Sequence, residues 1–219
     1  MLNITEWIDL YKETMQAEFG SRICFMGLQG SYARQEATEQ SDIDMVLILD
    51  KMNFTDLQTY KNLLQTLPNP DLICGFVSGR EELTNWNLTE LFQFYYDTMP
   101  IIGSLDDLIP EISAETIRQS VKNQACTIYH TCCHNFVHKS DVGVLQDLYK
   151  AAFFVLQAKY FLKKQVYCEN QNQLVRTVKN GKDKSLLITI MHRDAITESN
   201  FEEMSQNLME WSADLIDNF

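Results

Sequence analysis

The hydrophobic pattern of this 219-residue chain changes period once, near Pro110, and that change limits the fold more than any other feature. Before it, short apolar runs alternate with helical stretches. Ile23 to Leu28, Ile43 to Leu49 and Leu72 to Val77 read as strands, and Pro100 to Gly103 as a short edge strand, where a proline is tolerated. Trp7, Tyr11, Met15 and Phe19 recur every four residues, with Asn3 and Glu6 in capping-box spacing, which predicts a helix over 2–19 ending near Gly20. Leu57, Lys61 and Leu64, with Thr55 and Gln58 placed as a capping box, predict a helix over 53–67 that stops before Pro68. A third helix is expected over 81–96.

After Pro110 only helical spacing remains. Ile117, Val121, Ala125, Ile128, Cys132 and Phe136 trace one stripe; Leu145, Leu148, Ala152, Val155 and Leu162 trace a second. The second helix is apolar all round at Ala151–Phe154, as a central helix covered by its neighbours would be. A last helix follows Ser199 and Glu202, in capping-box spacing, with Phe201, Met204, Leu208, Trp211 and Leu215 stepping by three and four. The expectation is an α+β fold: a small mixed-sheet domain over 1–110 and an all-α helical-bundle domain over 111–219.

Composition removes several classes of function. The longest apolar run, Ala151 to Leu156, is far short of the ~20 residues a membrane span needs, so no membrane partner is expected. Asn3, Glu6 and Asp9 interrupt the first residues where an export signal would be basic and then apolar; a cytoplasmic protein is expected. Six cysteines without small-scaffold spacing fit free thiols in a reducing compartment. A formal net charge of −12 argues against duplex nucleic acid, whose phosphates must be neutralised by Lys and Arg. The charge is uneven: residues 1–110 hold 17 acids against 6 bases, residues 111–219 hold 13 against 12. Such a field attracts metal ions or a cationic acceptor, and serves equally as a solubilising surface.

The chemistry concentrates in Gly27-Leu-Gln-Gly30-Ser31-Tyr-Ala33-Arg34, followed after a polar loop by Ser41-Asp42-Ile43-Asp44-Met-Val-Leu-Ile. Carboxylates at i and i+2 of an extended segment share a face with Cα atoms roughly 6.5 Å apart, while Ile43 between them points into the core. Two hard carboxylates converging in this way can hold Mg²⁺, which takes oxygen ligands and recruits substrate phosphates. Upstream, Gly30 permits close backbone approach, and turn N–H groups with the Ser31 hydroxyl can grip a phosphate. Asp71 opens the third strand; beside the second strand its carboxylate would be a third ligand, a general base toward an acceptor hydroxyl, or both.

The pattern Gly-Ser-x-Ala-Arg followed by Ser-Asp-x-Asp on an apolar strand resembles the signature of the DNA polymerase β superfamily of nucleotidyltransferases. A catalytic domain followed by helices is similar to the aminoglycoside nucleotidyltransferases. The resemblance implies that 1–110 is the catalytic domain and that Gly30 and Ser31 bind the triphosphate, with Arg34 and Ser41 of the same motif as further nucleotide contacts. It implies Mg²⁺ on Asp42 and Asp44, Asp71 as the third acid and ATP or another nucleoside triphosphate as co-substrate. Gln35 departs from the family, which often has Gly after the Arg. The expected reaction is transfer of a nucleoside monophosphate, AMP from ATP, to a hydroxyl of a small, cationic acceptor such as an aminoglycoside, by a monomer or homodimer. Transfer to a protein, as by antitoxin-like adenylyltransferases, and a non-catalytic nucleotide-binding module are the alternatives.

Other candidates have simpler explanations. His130, His134 and His138 at i, i+4 and i+8 could present a Zn²⁺ site, but they project opposite their helix's apolar stripe and fit an exposed polar face. Lys150, Lys159, Lys163 and Lys164 fit a solvated basic face. Among them Lys150, beside the apolar 151–156 segment, is the candidate to bring positive charge to a triphosphate. Glu81 and Glu82 fit ordinary first-turn partners of a helix dipole.

Overall fold

The computed structural model describes residues 3–39, 41–179 and 181–219. The chain divides into two compact units, Met1–Glu111 and Ile112–Phe219.

The first unit opens with α1 (Ile4–Phe19). The Asn3 side chain accepts from the Glu6 amide at 3.5 Å, and the helix ends where Gly20 turns to φ +50. Trp7, Tyr11, Met15 and Phe19 are 0–4% exposed, the stripe that the spacing predicts. Each such side chain contributes about 1.5–3 kcal/mol by leaving water. Their polar tips are satisfied: the Trp7 indole donates to the Pro68 carbonyl at 2.8 Å, and the Tyr11 and Tyr60 hydroxyls meet at 3.1 Å.

Four strands follow with helices between them: β1 (Ile23–Gln29), α2 (Gly30–Ala33), β2 (Ile43–Leu49), α3 (Phe54–Leu64), β3 (Ile73–Gly79), α4 (Arg80–Thr84), α5 (Leu88–Asp97) and β4 (Met99–Ile102). The sheet order is β3-β2-β1-β4, with β1 antiparallel to β2 and β4, and β2 parallel to β3, so the sheet is mixed. Pro100 lies on the edge strand β4. Ile43, Met45, Leu47 and Leu49 are 0% exposed and join the residues of α1 and α3 in one core. The intervening residues of β2 point to the opposite face.

Two helices differ from their sequence reading. The cap of α3 is Asn53 with Asp56, in a complete capping box, rather than Thr55 with Gln58. Its buried residues are Asp56 and Tyr60, while Leu57 and Lys61 are exposed. Asp56 tolerates burial because Arg22 forks onto both its oxygens at 2.7 and 2.9 Å. The helix expected over 81–96 is two: it breaks after Thr84, and Asn87 caps α5 through the Thr89 amide.

The second unit is helical: α6 (Ala114–His138), α7 (Val142–Lys164), α8 (Gln171–Thr177), α9 (Lys182–Met191) and α10 (Phe201–Asn218). α7 packs on α6 and α9, and α10 packs on α6. Val155 to Lys159 of α7 is buried without interruption, as the central helix should be. One of those residues is charged. The Lys159 ammonium lies 2.8 Å from Asp183 of α9, whose carboxylate also accepts from the Trp211 indole of α10 at 3.0 Å and the Tyr160 hydroxyl at 3.3 Å. Burial pushes the Asp183 carboxyl up, but the Lys159 and Trp211 hydrogen bonds outweigh it and its pKa is lowered. At α10 the capping box is Thr197 with Asn200, in the 3-10 turn before the helix, not Ser199 with Glu202. The sequence reading missed α8 and α9. Among the described residues no helix is long and apolar enough to cross a membrane.

Candidate active site

The site is built where three strands bring one row of residues into line. The β1–β2 register sets Gln29 opposite Asp44, and the parallel β2–β3 register sets Asp44 opposite Cys74. Paired residues share a face, so Gln29, Asp44 and Cys74 form a row across the sheet. The next row is Gly27, Val46 and Phe76. That row is covered by α5: the Phe94 ring lies edge-on to Phe76 at 5.0 Å, and a Cβ on Gly27 would collide with the Thr98 methyl at 2.6 Å.

Directly after Gln29 the chain turns at Gly30, with φ +69. Here only glycine fits, for two reasons. The left-handed conformation costs an L-residue about 1–2 kcal/mol, and a Cβ at this point would overlap the Asp44 carboxylate. The Gly-Ser turn and the carboxylate are therefore in direct contact. Ser31 is half-buried, and its hydroxyl takes no hydrogen bond within the described residues. Asp42 is exposed and lies one residue before β2, while Asp44 is half-buried within it. A hard carboxylate pair beside a turn with no room for a side chain suits a divalent cation carrying phosphate.

Other candidates are placed differently. Arg34 is 11% exposed and engaged with two carboxylates: Nη1 is 2.5 Å from Asp97 and Nε is 3.4 Å from Glu36. The guanidinium is thus tied into the turn by both ends of its planar group. The Ser41 hydroxyl accepts from the Thr38 amide at 2.8 Å and closes the loop between turn and strand. Asp71 is exposed in a 3-10 turn (Pro70–Leu72) ahead of β3, so it does not open the strand as expected. Among the described residues, no group of three or more His, Cys, Asp or Glu side chains stands converged as a metal site. The third strand instead puts an exposed thiol, Cys74, across from Asp44. Lys150 is exposed on α7 of the second unit. His130, His134 and His138 are exposed, with successive ring centroids 6.3 and 4.8 Å apart. All six cysteines are free thiols.

The family model of the nucleotidyltransferase domain matches residues 8–125, more than half of the chain, including the Gly30 turn and all four strands. The chain belongs to the nucleotidyltransferase family. It is therefore an enzyme of that transferase class, with the α+β and helical architecture that the hydrophobic pattern predicts. Among solved structures, spectinomycin adenyltransferase AAD(9) from Enterococcus faecialis, determined with ATP and spectinomycin, is similar at a TM-score of 0.55 and 12% identity, covering 93% of this chain and 98% of that one. At that identity the likeness is one of fold. The CdnE cyclic dinucleotide synthase of Elizabethkingia meningoseptica aligns at 14% identity over 98% of this chain and 78% of that one, with a TM-score of 0.31, too low to carry an argument. No curated protein matches the sequence.

Residues that the sequence reading missed are Gln29, Cys74, Asp97 and Thr98. Each owes its place to strand register or to the end of α5, which no local motif announces.

Proposed function

We propose that this nucleotidyltransferase moves a nucleoside monophosphate, AMP from ATP, onto a hydroxyl of a small, cationic acceptor of the aminoglycoside class. The observation that carries the reading is the contact of Gly30 with Asp44, which makes a phosphate-binding turn and a metal-binding carboxylate one construction. Asp42 and Asp44 hold the Mg²⁺, which supplies charge neutralisation at the triphosphate and polarises the acceptor oxygen when bound. Gly30 and Ser31 grip the phosphates, Ser41 fixes the approach of the Asp42–Asp44 segment, and Arg34 acts from behind the turn. Asp71, as the third acid, takes the proton from the acceptor hydroxyl. Lys150 contributes positive charge that residues 1–110, with 17 acids and 6 bases, supply sparsely. The acidity of that stretch is also what favours a cationic acceptor. The work is divided accordingly: the first unit is the catalytic domain, and the second supplies acceptor contacts. The solved structure of similar fold is a spectinomycin adenyltransferase determined with ATP and spectinomycin, which supports the reading at the level of class.

The test is transfer of label from α-³²P-ATP with Mg²⁺ to a panel of amino-sugar and protein acceptors, beside an Asp42→Asn/Asp44→Asn control. Label on an amino sugar with wild type alone is expected. Label on a protein acceptor instead would move the assignment to protein modification, and nucleotide binding without transfer to any acceptor would overturn the small-molecule assignment.

A further inference from the structure

Four residues, Gly30–Ala33, make up α2, and none of them is buried. Isolated helices shorter than ~12–15 residues are marginal in water, so a single turn has to be held from outside. Its own cap does not do so, because Gln29 at the N-cap makes no capping hydrogen bond. At the other end the chain leaves through Gln35 at φ +59, a left-handed non-glycine residue that makes the exit unfavourable.

Tyr32 and Ala33 pack against the core of the first unit, and a pair of side chains brackets the turn at its two ends. Gln29 Nε2 donates to Thr98 Oγ1 at 2.6 Å and to the Phe94 carbonyl at 3.3 Å. Arg34 Nη1 donates to Asp97 at 2.5 Å, in a pair whose side chains are 11% and 10% exposed. Both links end on the same place: Phe94 and Asp97 in the last turn of α5 and Thr98 at its cap. Thr98 is itself fixed, its hydroxyl donating to the Phe94 carbonyl at 2.5 Å. Phe94 packs on Phe76 of β3, so this end of α5 is seated on the same sheet that carries Asp44.

We infer that the last turn of α5 is the positioning element of the phosphate-binding turn, with Asp97 and Thr98 holding Gly30 and Ser31 against Asp44 through Arg34 and Gln29. Arg34 is then a positioning residue that acts through the backbone of the turn. The assignment of phosphate binding rests on the proposed function; the mechanical link does not.

The experiment uses the full chain and Asp97→Asn, Arg34→Gln, their double variant, and Thr98→Val, which removes the shorter of the two Gln29 hydrogen bonds without changing a charge. Hydrogen exchange of the 30–36 amides is expected to rise about tenfold in each single variant, the size of a coupling inside one network, while the 43–49 amides are unchanged. The double variant is expected to exchange no faster than Asp97→Asn. For ATP, KM rises by a similar factor in both charge variants and no further in the double, with kcat moving less. Gln35→Gly in the Asp97→Asn background recovers part of the loss, since glycine takes the left-handed exit freely. Normal protection of 30–36 in Asp97→Asn and Thr98→Val, or KM losses that multiply in the double variant, would overturn the inference; multiplying losses would mean that Arg34 touches the nucleotide itself. Wild type that binds no Mg-ATP would instead defeat the proposed function, and the exchange data would still decide the link. A variant that loses protection at 43–49 as well has unfolded, and Thr98→Val then decides.

Discussion

The Asp44 carboxylate occupies the space in which residue 30 would carry its Cβ, and Gly30 meets it in a backbone conformation of φ +69. A side chain at 30 must displace the carboxylate or reopen the turn. Gly30→Ala is therefore expected to cost about 2 kcal/mol or more, the left-handed penalty with the overlap added. It should also abolish transfer. Thermal unfolding and label transfer measured on the same preparation check both halves, and an alanine variant with wild-type activity would separate the turn from the metal site.

Asp71 and the Asp42–Asp44 pair should separate kinetically. Asp71→Asn is expected to lower kcat by about 10²–10³-fold, near the usual contribution of a general base, with the Mg²⁺ concentration for half-maximal rate unchanged. Asp42→Asn should raise that concentration. A joint shift in Asp71→Asn would make it a ligand after all.

The thiols should differ in reactivity. Cys74 and Cys126 are exposed, whereas Cys132 is 1% exposed and burial pushes its pKa up to about 11. With the thiolate as the reacting species, Ellman's reagent at pH 8 is expected to modify Cys74 and Cys126 first and Cys132 only on unfolding. Because Cys74 stands across from Asp44, its modification should slow transfer, and bound Mg-ATP should slow its modification. Mass spectrometry of partially labelled protein reads out the order.

Acid should reach the first unit through Asp56. The Arg22 hydrogen bonds, the largest influence, hold the Asp56 carboxyl below the usual carboxylate range. A carboxylate with a depressed folded pKa stabilises the native state above its unfolded value, near ~3.9, and that contribution is lost as pH falls through the folded pKa. Asp56→Asn is expected to be less stable than wild type at pH 7 and to flatten the unfolding free energy on the acid limb below about pH 4. Denaturant titrations from pH 7 to 3 measure this.

Much of the fold could be read locally. The Ile43–Leu49 run is buried on both faces of a central strand, and the α1 stripe is a simple period of four, so neither depends on distant partners. α3 was legible as a helix but not in its face: Asn53 and Thr55 both begin capping-box patterns two residues apart, and the one used buries Asp56, whose partner Arg22 is 34 residues away. The break between α4 and α5 shows why Asn85-Trp86-Asn87 should be read as punctuation. Around the candidate site, the turn at Gly30 and the strand that carries Asp44 were legible because turn chemistry and strand alternation are short-range rules. That Cys74 stands across from Asp44 was not: a 3-10 turn precedes the strand, and the register of β3 on β2 decides which side chain faces Asp44. The partners of Gln29 and Arg34 were out of reach because they lie more than 60 residues away.

The tie from Lys159 to Asp183 and on to Trp211 has a bearing on redesign of the helical unit. Helices held together by apolar side chains alone can slide along one another with modest loss, which lets a repacked bundle settle into several arrangements. Here a slip of α9 would strand a buried ammonium, and losing one partner of a buried pair costs about 3–5 kcal/mol. Alternative alignments of α7, α9 and α10 are thereby penalised, so exposed residues of these helices can be varied on a backbone that favours one alignment, provided that these three are left in place.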